Sequence, residues 1–282
     1  VHINAGMAAL VLVLVLGARR GFRKDVMRPH NLPFTMLGAG LLWFGWFGFN
    51  VGSIVPVATQ GVAGEEADFF ANSTAFAENF VGETGLVWVN TTAATAAAML
   101  GWLLVEKIRD GKGTSLGAAS GVVAGLVAIT PACGALSPVG SIGLGALAGA
   151  LAALAVGLKY KLGYDDSLDV VGVHLVAGLV GTISIGFLAT TNGLFYGGGF
   201  QQLVVQVVIA LFAIAWSGAF TLVIALALKY TMGWRISDED EVEGIDFAEH
   251  GETAYDFASR SGSRPSSSST LPNAVKTEGV SA

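Results

Sequence analysis

Two histidines stand where ionisable side chains are expensive. His2 lies in an apolar run already under way at Val1, and His174 lies in Val171-Gly172-Val173-His174-Leu175. A titratable group inside such a run marks a functional site by default. A neutral imidazole gives and accepts one proton without carrying net charge, which suits the wall of a pore. The plainer reading is a buried imidazole bonded to a carbonyl or hydroxyl. A metal site is the third reading, and it lacks a further ligand. Asp169 precedes His174 by five residues, about 140° around a helix of roughly 3.6 residues per turn. The chain holds no HExxH and no Cys/His cluster. Cys133 is its single cysteine, which excludes an internal disulfide and a multi-cysteine site. Neither a metal nor a cofactor is expected. His30 and His250 fall in aqueous segments.

A second constellation is aromatic. In Trp43-Phe44-Gly45-Trp46-Phe47-Gly48-Phe49-Asn50-Val51-Gly52-Ser53, the residues Trp46, Phe49, Asn50 and Ser53 recur at i, i+3, i+4 and i+7, one helical face. Such a stripe is ordinarily bundle core or interfacial belt. Beside an amide and a hydroxyl it also suits a small cation, at about 0.5–2 kcal/mol of cation–π attraction per ring. Asp166 or Ser167 is expected to cap the helix that carries His174, and Asp165, Asp166 and Asp169 complement its dipole. No nucleophile, base and orienting group share a helix face, so the chain is not read as an enzyme.

The elements that must position these residues follow from composition. Of 282 residues, 53% are hydrophobic and 13% charged, with 39 glycines and a net charge of −6. Mean hydropathy is +0.64 and the pI is near 5.2. These values exclude a disordered chain, and they argue against a nucleic-acid partner, which a basic face would require. They point to an all-α polytopic membrane protein with closely packed helices. Seven apolar stretches are marked: Val1–Leu16, Phe34–Val57, Leu86–Val105, Ser115–Leu136, Ile142–Leu158, Asp169–Ala189 and Leu203–Leu228. About 20 residues are needed to cross the bilayer core. The first stretch has no initiator Met, basic n-region or cleavage-type signal before it, and reads as a piece that starts inside a membrane helix.

Charge sets the topology. Arg19, Arg20, Arg23, Lys24 and Arg28 follow the first stretch. Lys107, Arg109 and Lys112 follow the third, and Lys159 and Lys161 the fifth. Lys229, Arg235, Arg260, Arg264 and Lys276 follow the seventh. The alternate connections hold no Lys or Arg, and the long 54–85 connection carries Glu65, Glu66, Asp68, Glu78 and Glu83. By the positive-inside rule the basic connections and the C-terminus are cytoplasmic. Glycines at four-residue spacing, Gly117, Gly121 and Gly125, then Gly145 and Gly149, are expected to let helix backbones approach closely. Three parts are expected: a membrane domain over 1–235, a cytoplasmic regulatory segment over 236–257 docked on the inner face, and a disordered tail over 258–282.

Five motifs in order carry a resemblance. VHINAG (1–6), WFGWFGFNVGS (43–53), ITPACG (129–134), DDSLDVVGVH (165–174) and EGIDFAEHGETAY (243–255) resemble successive signatures of the Amt/Mep/Rh ammonium transporter family, in its bacterial Amt form. The resemblance implies the C-terminal part, helices five to eleven, of an eleven-helix multi-pass protein of the cell membrane. It implies that His2 and His174 are paired pore histidines. Trp46, Phe49 and Ser53 would form the outer ammonium site, and Asn50, Asp169 and Thr130 would support the pore. Gly244, Asp246, His250, Gly251 and Tyr255 would belong to the regulatory tail. It further implies ammonium or ammonia as substrate, a homotrimer in membrane lipid, and a PII signal protein as a partner at the cytoplasmic face.

The histidines are expected to share a ring N–H at about 2.7–3.2 Å between nitrogens. Two other functions fit the same residues: a neutral-gas channel of Rh type, and an ammonium sensor that signals through its tail. The topology has a direct test. Cysteines placed at Ala67 and at Gly111 should label from opposite sides of the membrane, and labelling from one side contradicts the arrangement.

Overall fold

The computed structural model describes residues 1–25, 27–54 and 69–253. The chain divides into two compact units, Val1–Arg235 and Ile236–Ala282. Regular structure in the described residues is helical, with one isolated β-bridge between Leu136 and Ala189. The first unit holds α1 (His2–Leu16), α2 (Leu32–Val51), α3 (Phe69–Asp110), α4 (Ser115–Ile129), α5 (Pro138–Ala155) and α6 (Leu158–Leu162). A π-helical segment, Val171–Val176, then runs into α7 (Ala177–Leu188). A 3-10 turn (Leu194–Tyr196) leads to α8 (Gln201–Thr231).

Among the described residues, five segments are long and apolar enough to cross a membrane: Leu32–Val51, Phe80–Asp110, Pro138–Leu162, Val171–Leu188 and Gln201–Thr231. α1 and α4 are shorter apolar helices of 15 residues each. Each of the seven apolar stretches contributes a helix, though five rather than seven helices among the described residues reach spanning length.

Three helix starts of the first unit, those of α2, α4 and α5, carry side-chain caps, which matter most where water is scarce. Asn31 accepts from Phe34 N at 3.0 Å, with Pro33 in the first turn. Thr114 caps α4 through Gly117 N at 2.8 Å, and Ser137 caps α5 through Gly140 N at 3.2 Å. Three expected boundaries shift. The stretch Ser115–Leu136 is not one helix, because α4 stops at Ile129 and Pro131 offers no N–H to continue the ladder. The freed carbonyls of Cys133 and Leu136 accept from Asn90 Nδ2 at 2.8 and 2.7 Å. The 54–85 connection is partly helix, since α3 begins at Phe69 rather than near Leu86. Residues 69–81 contain no Gly or Pro, so a helix runs through them although they are not apolar throughout. The stretch beginning at Asp169 opens as a π turn, with Asp169 itself off the helix at φ 59°.

Basic side chains gather at one end of the first unit and close the helices there. Lys229 Nζ donates to Val15 O and an Arg235 nitrogen to Leu16 O, each at 3.3 Å. Arg109 donates to Ala153 O at 3.1 Å. Buried Glu106 accepts from Thr114 N at 2.8 Å and from Trp102 Nε1 at 3.1 Å, fastening the turn from α3 to α4.

The core is built of small residues. α3 packs against both α5 and α4, with Ala94, Ala98, Ala124, Leu126 and Ala148 fully buried. A Cβ on Gly145 would lie 2.1 Å from Ala94 O, and one on Gly149 would lie 2.0 Å from Ala98 O. The same holds for Gly125 against Thr95 Cα at 2.7 Å and Gly181 against Ala128 O at 2.0 Å. Backbones touch at these points, so any side chain must push two helices apart. α2 and α8 are peripheral. They turn Phe34, Leu37, Phe44, Phe212 and Trp216 outward, as a helix facing hydrocarbon does.

The second unit contains α9 (Asp238–Glu243) and α10 (Ile245–His250). Ser237 caps α9 through Asp240 N at 3.1 Å, and four acids in its first turn complement the dipole. Gly244 (φ 107°) joins the two helices and Gly251 (φ 68°) ends α10, both in the left-handed region that favours glycine.

The packing predicts a contrast between glycines. Gly149→Val should destabilise the protein by at least about 1–3 kcal/mol, the usual range for overpacking. Gly143→Ala, whose Cβ would meet nothing within 4 Å, should be neutral. Recovery of folded protein after heating in detergent measures both, and equal recovery contradicts the packing.

Candidate functional site

α1, α2, α4 and the π segment bring their chemistry-bearing residues to one place. The His2 ring stacks on Trp46, with centroids 5.1 Å apart and planes at 23°. It also meets Phe49 at 5.9 Å and His174 at 5.9 Å, the histidine planes being tilted by 58°. Trp46 is buried, and its Nε1 donates to Thr130 Oγ1 at 2.8 Å. Thr130 in turn donates to Leu126 O at 2.7 Å, which fixes the hydroxyl's direction. One group thus holds His2, His174, Trp46, Phe49 and Thr130.

The helices meet here because glycine allows it. A Cβ on Gly6 would lie 2.3 Å from Leu175 N. One on Gly178 would lie 3.2 Å from Ile3 N and 3.3 Å from His2 Cβ. The π turn contributes as well. Asp166 accepts from Val170 N at 3.0 Å and from Val171 N at 2.7 Å, so the cap expected from Asp166 or Ser167 is made by Asp166. His174 sits in that wider turn, a form that recurs at functional sites.

The two histidines do not bond to each other. Nε2 of His2 and Nδ1 of His174 are buried without a hydrogen-bond partner in the protein. The shared N–H expected for the pair is not made, because stacking on Trp46 sets the His2 plane at a steep angle to His174. Buried polar atoms are nearly always partnered, so two orphans at one place ask for a small partner from outside the protein.

Each histidine borders its own cavity. His2 lines a small one of about 110 Å³ with Thr130, Pro131, Gly178 and Thr182. His174 lines one of about 610 Å³ that reaches the basic end, where Arg19, Arg28, His30, Lys159 and Asp169 also line it. The two rings, one lining each cavity, have centroids 5.9 Å apart.

The other candidates lie apart from this group. Ser53 is exposed in the turn after α2, and its hydroxyl donates to Phe49 O at 2.6 Å. Asn50 points elsewhere: it is 2% exposed and its Nδ2 donates to Thr91 Oγ1 at 3.0 Å, tying α2 to α3. Asn50 and Phe49 are adjacent in sequence and so diverge by about 100°, which splits the single expected face. Asp169 pairs with Lys159 Nζ at 2.6 Å. Burial pushes its carboxyl above the usual carboxylate range, against the pull of Lys159. Gly244, Asp246, His250 and Gly251 lie in the second unit, with His250 and Asp246 exposed. Tyr255 lies outside the described residues. Among the described residues no cluster of His, Cys, Asp and Glu is arranged to hold a metal.

Sequence reasoning missed two residues. Thr91 answers Asn50, and nothing in its local sequence distinguishes it. Arg19 answers Asp165 across 146 positions, and its signal was only that it stands first among the basic residues after α1.

Residues 1–255 match the Ammonium Transporter Family. The chain is 55% identical over 275 residues to an ammonium transporter of Mycobacterium tuberculosis (strain ATCC 25618 / H37Rv), covering 93% of this chain and 53% of that protein. It is 44% identical over 264 residues to an ammonium transporter of Aquifex aeolicus (strain VF5), covering 91% and 56%. Among solved structures, a Sensor Amt Protein superposes with a TM-score of 0.72 at 29% identity, over 89% of this chain and 58% of that one. Saccharomyces cerevisiae Mep2 superposes with a TM-score of 0.70 at 29% identity, over 85% and 52%. The chain spans about half the length of the curated relatives it matches. Those relatives are named as transporters, not as enzymes. With most of its length matched, the chain belongs to the ammonium transporter family.

Proposed function

We propose that this chain forms part of a protein that moves ammonium across the cell membrane as ammonia, through a passage lined by His2 and His174. The observation that carries the reading is the pair of orphaned imidazole nitrogens on two neighbouring rings, each ring lining a cavity of its own. Ammonia both donates and accepts hydrogen bonds, so it can satisfy both nitrogens in passing. The named function of the relatives supports the same substrate.

The sequence of events is selection, deprotonation and passage. Ammonium is drawn to the aromatic faces of Trp46 and Phe49, with Ser53 in the turn that follows bonded to Phe49 O. A bare cation at the bilayer centre costs several kcal/mol. Ammonium sheds that cost by giving its proton to water on the outer side and, as ammonia, takes one from water in the inner cavity, whereas potassium has no proton to give. Ammonia then passes the histidines and is reprotonated in the cavity at the basic end. Thr130 holds Trp46, Asn50 ties α2 to α3, and Asp169 borders the inner cavity.

In the same reading the basic end faces the cytoplasm, seven helices of this chain cross the membrane, and the protein is a homotrimer in lipid. Segment 236–257, with Gly244, Asp246, His250, Gly251 and Tyr255, regulates the pore from the cytoplasm and meets a PII signal protein there. Residues 258–282 form the tail beyond it. One solved relative is named as a sensor, which keeps ammonium sensing through this segment as a second reading. Ammonium-dependent partner binding without uptake would favour it.

The test uses the full-length protein and radiolabelled methylammonium uptake. Trp46→Leu should raise the half-saturating concentration by about twofold to tenfold, as loss of roughly 0.5–1.4 kcal/mol of cation–π attraction requires. Absence of saturable uptake in the unaltered protein overturns the transport reading. Unchanged saturation in Trp46→Leu overturns the aromatic site.

A further inference from the structure

We infer that the Arg19–Asp165 ion pair is a positioning device for the two histidines, fixing from the basic end the separation of the helix that carries His2 and the helix that carries His174. The inference rests on the transport reading above and adds a residue pair at the basic end, where Arg19 also lines the inner cavity.

Asp165 accepts three bonds from one residue. Its Oδ2 takes Arg19 N at 2.7 Å and Arg19 Nε at 2.8 Å, and its Oδ1 takes Nη2 at 2.7 Å. The Asp165 side chain is 1% exposed. An exposed pair of this kind would matter little. A buried carboxylate held by both guanidinium nitrogens and a main-chain N–H is rigid, and removing either partner strands a charge. Burial alone would push the Asp165 carboxyl up. The Arg19 bonds outweigh it and hold the carboxyl below the usual range, so Asp165 is ionised at neutral pH.

The pair is well placed to transmit position. Arg19 lies just beyond Leu16, the last residue of α1, whose first residue is His2. Asp165 opens the turn that leads into the π segment of His174. That turn has little slack. Asp166 is bonded to Val170 N and Val171 N, and Lys159 Nζ is bonded to Asp166 O at 3.0 Å and Asp169 Oδ1 at 2.6 Å. A shift of Asp165 therefore passes to the start of the π turn. At the other end the same two helices touch through Gly6 and Gly178. The histidines are thus set by a contact beside them and a clamp at the basic end. The glycine contact alone leaves a pivot, which the clamp removes.

The experiment uses the full-length protein in proteoliposomes, in a Cys133→Ala background, with His2→Asp and His174→Asp measured alongside. Arg19→Gln and Asp165→Asn should lower maximal methylammonium uptake by about tenfold to a hundredfold, as a misplacement near 1 Å does. The half-saturating concentration should stay unchanged, because the outer aromatic site is untouched. Arg19→Lys keeps the charge and loses the fork, and should fall between. In the doubly substituted Arg19→Cys, Asp165→Cys protein, a short bifunctional thiol reagent should restore uptake, since separation rather than charge is what the pair supplies. Wild-type maximal uptake in folded Arg19→Lys and Asp165→Asn, or a folded bridged protein that gains nothing, overturns the inference. If the histidine variants themselves transport normally, it is the transport reading that falls.

Discussion

The crossing of α1 over the segment Val171–Gly178, backbone against backbone, is the contact on which the rest of the site depends. An apolar bundle gives no reason for two imidazoles to meet. Each is costly to bury, and each would ordinarily turn to the nearest carbonyl. Gly6 and Gly178 bring the backbones close enough that the rings face one another before either finds a partner. Trp46 then takes one face of His2 and is itself held by Thr130. The result is a pair of buried imidazoles that each line a cavity.

Such a pair suits a solute that can be neutral in the middle and charged at the ends. The aromatic faces favour a cation at the α2 side. The basic end favours none, so a species arriving there must leave with the water and counter-charges of the larger cavity. Rigidity matters as much as polarity. Small-residue contacts between α3, α4 and α5 make a dense scaffold, and capped helix starts leave few backbone groups unsatisfied. Beyond the end of α1, Arg19 and Asp165 add a three-bond contact between the chain that leaves α1 and the turn that leads to His174.

Much of this was legible in the sequence, for definite reasons. His2 and His174 stand out because charge-capable side chains are rare in apolar runs. The basic connections alternate strictly, and the structure gathers those it describes at one end of the first unit. Four-residue glycine spacing translated directly into helix contacts. Other features were hidden. The break after Ile129 lies inside a continuous apolar run, so hydropathy joins α4 to the turns that follow. The early start of α3 at Phe69 is invisible to hydropathy because those residues are polar as well as apolar. The π turn at Val171–Val176 has no periodicity signal of its own over six residues. A direct histidine bond was expected from the pairing that the family resemblance implies, and the competing stack on Trp46 could not be read from spacing. Asn50 was grouped with Phe49 by periodicity, yet its amide answers Thr91 on a different helix.

The central claim is that the histidine pair admits a species only if it can lose its charge. The direct measurement is potassium current through the full-length protein in a planar bilayer or on a solid-supported membrane, with and without the histidines. The account expects ammonium to be taken up by the unaltered protein with no potassium current. It expects the His2→Asp, His174→Asp double variant, which lines the passage with carboxylates, to conduct potassium. A potassium current through the unaltered protein, or a double variant that still excludes potassium while passing ammonium at the normal rate, would contradict it.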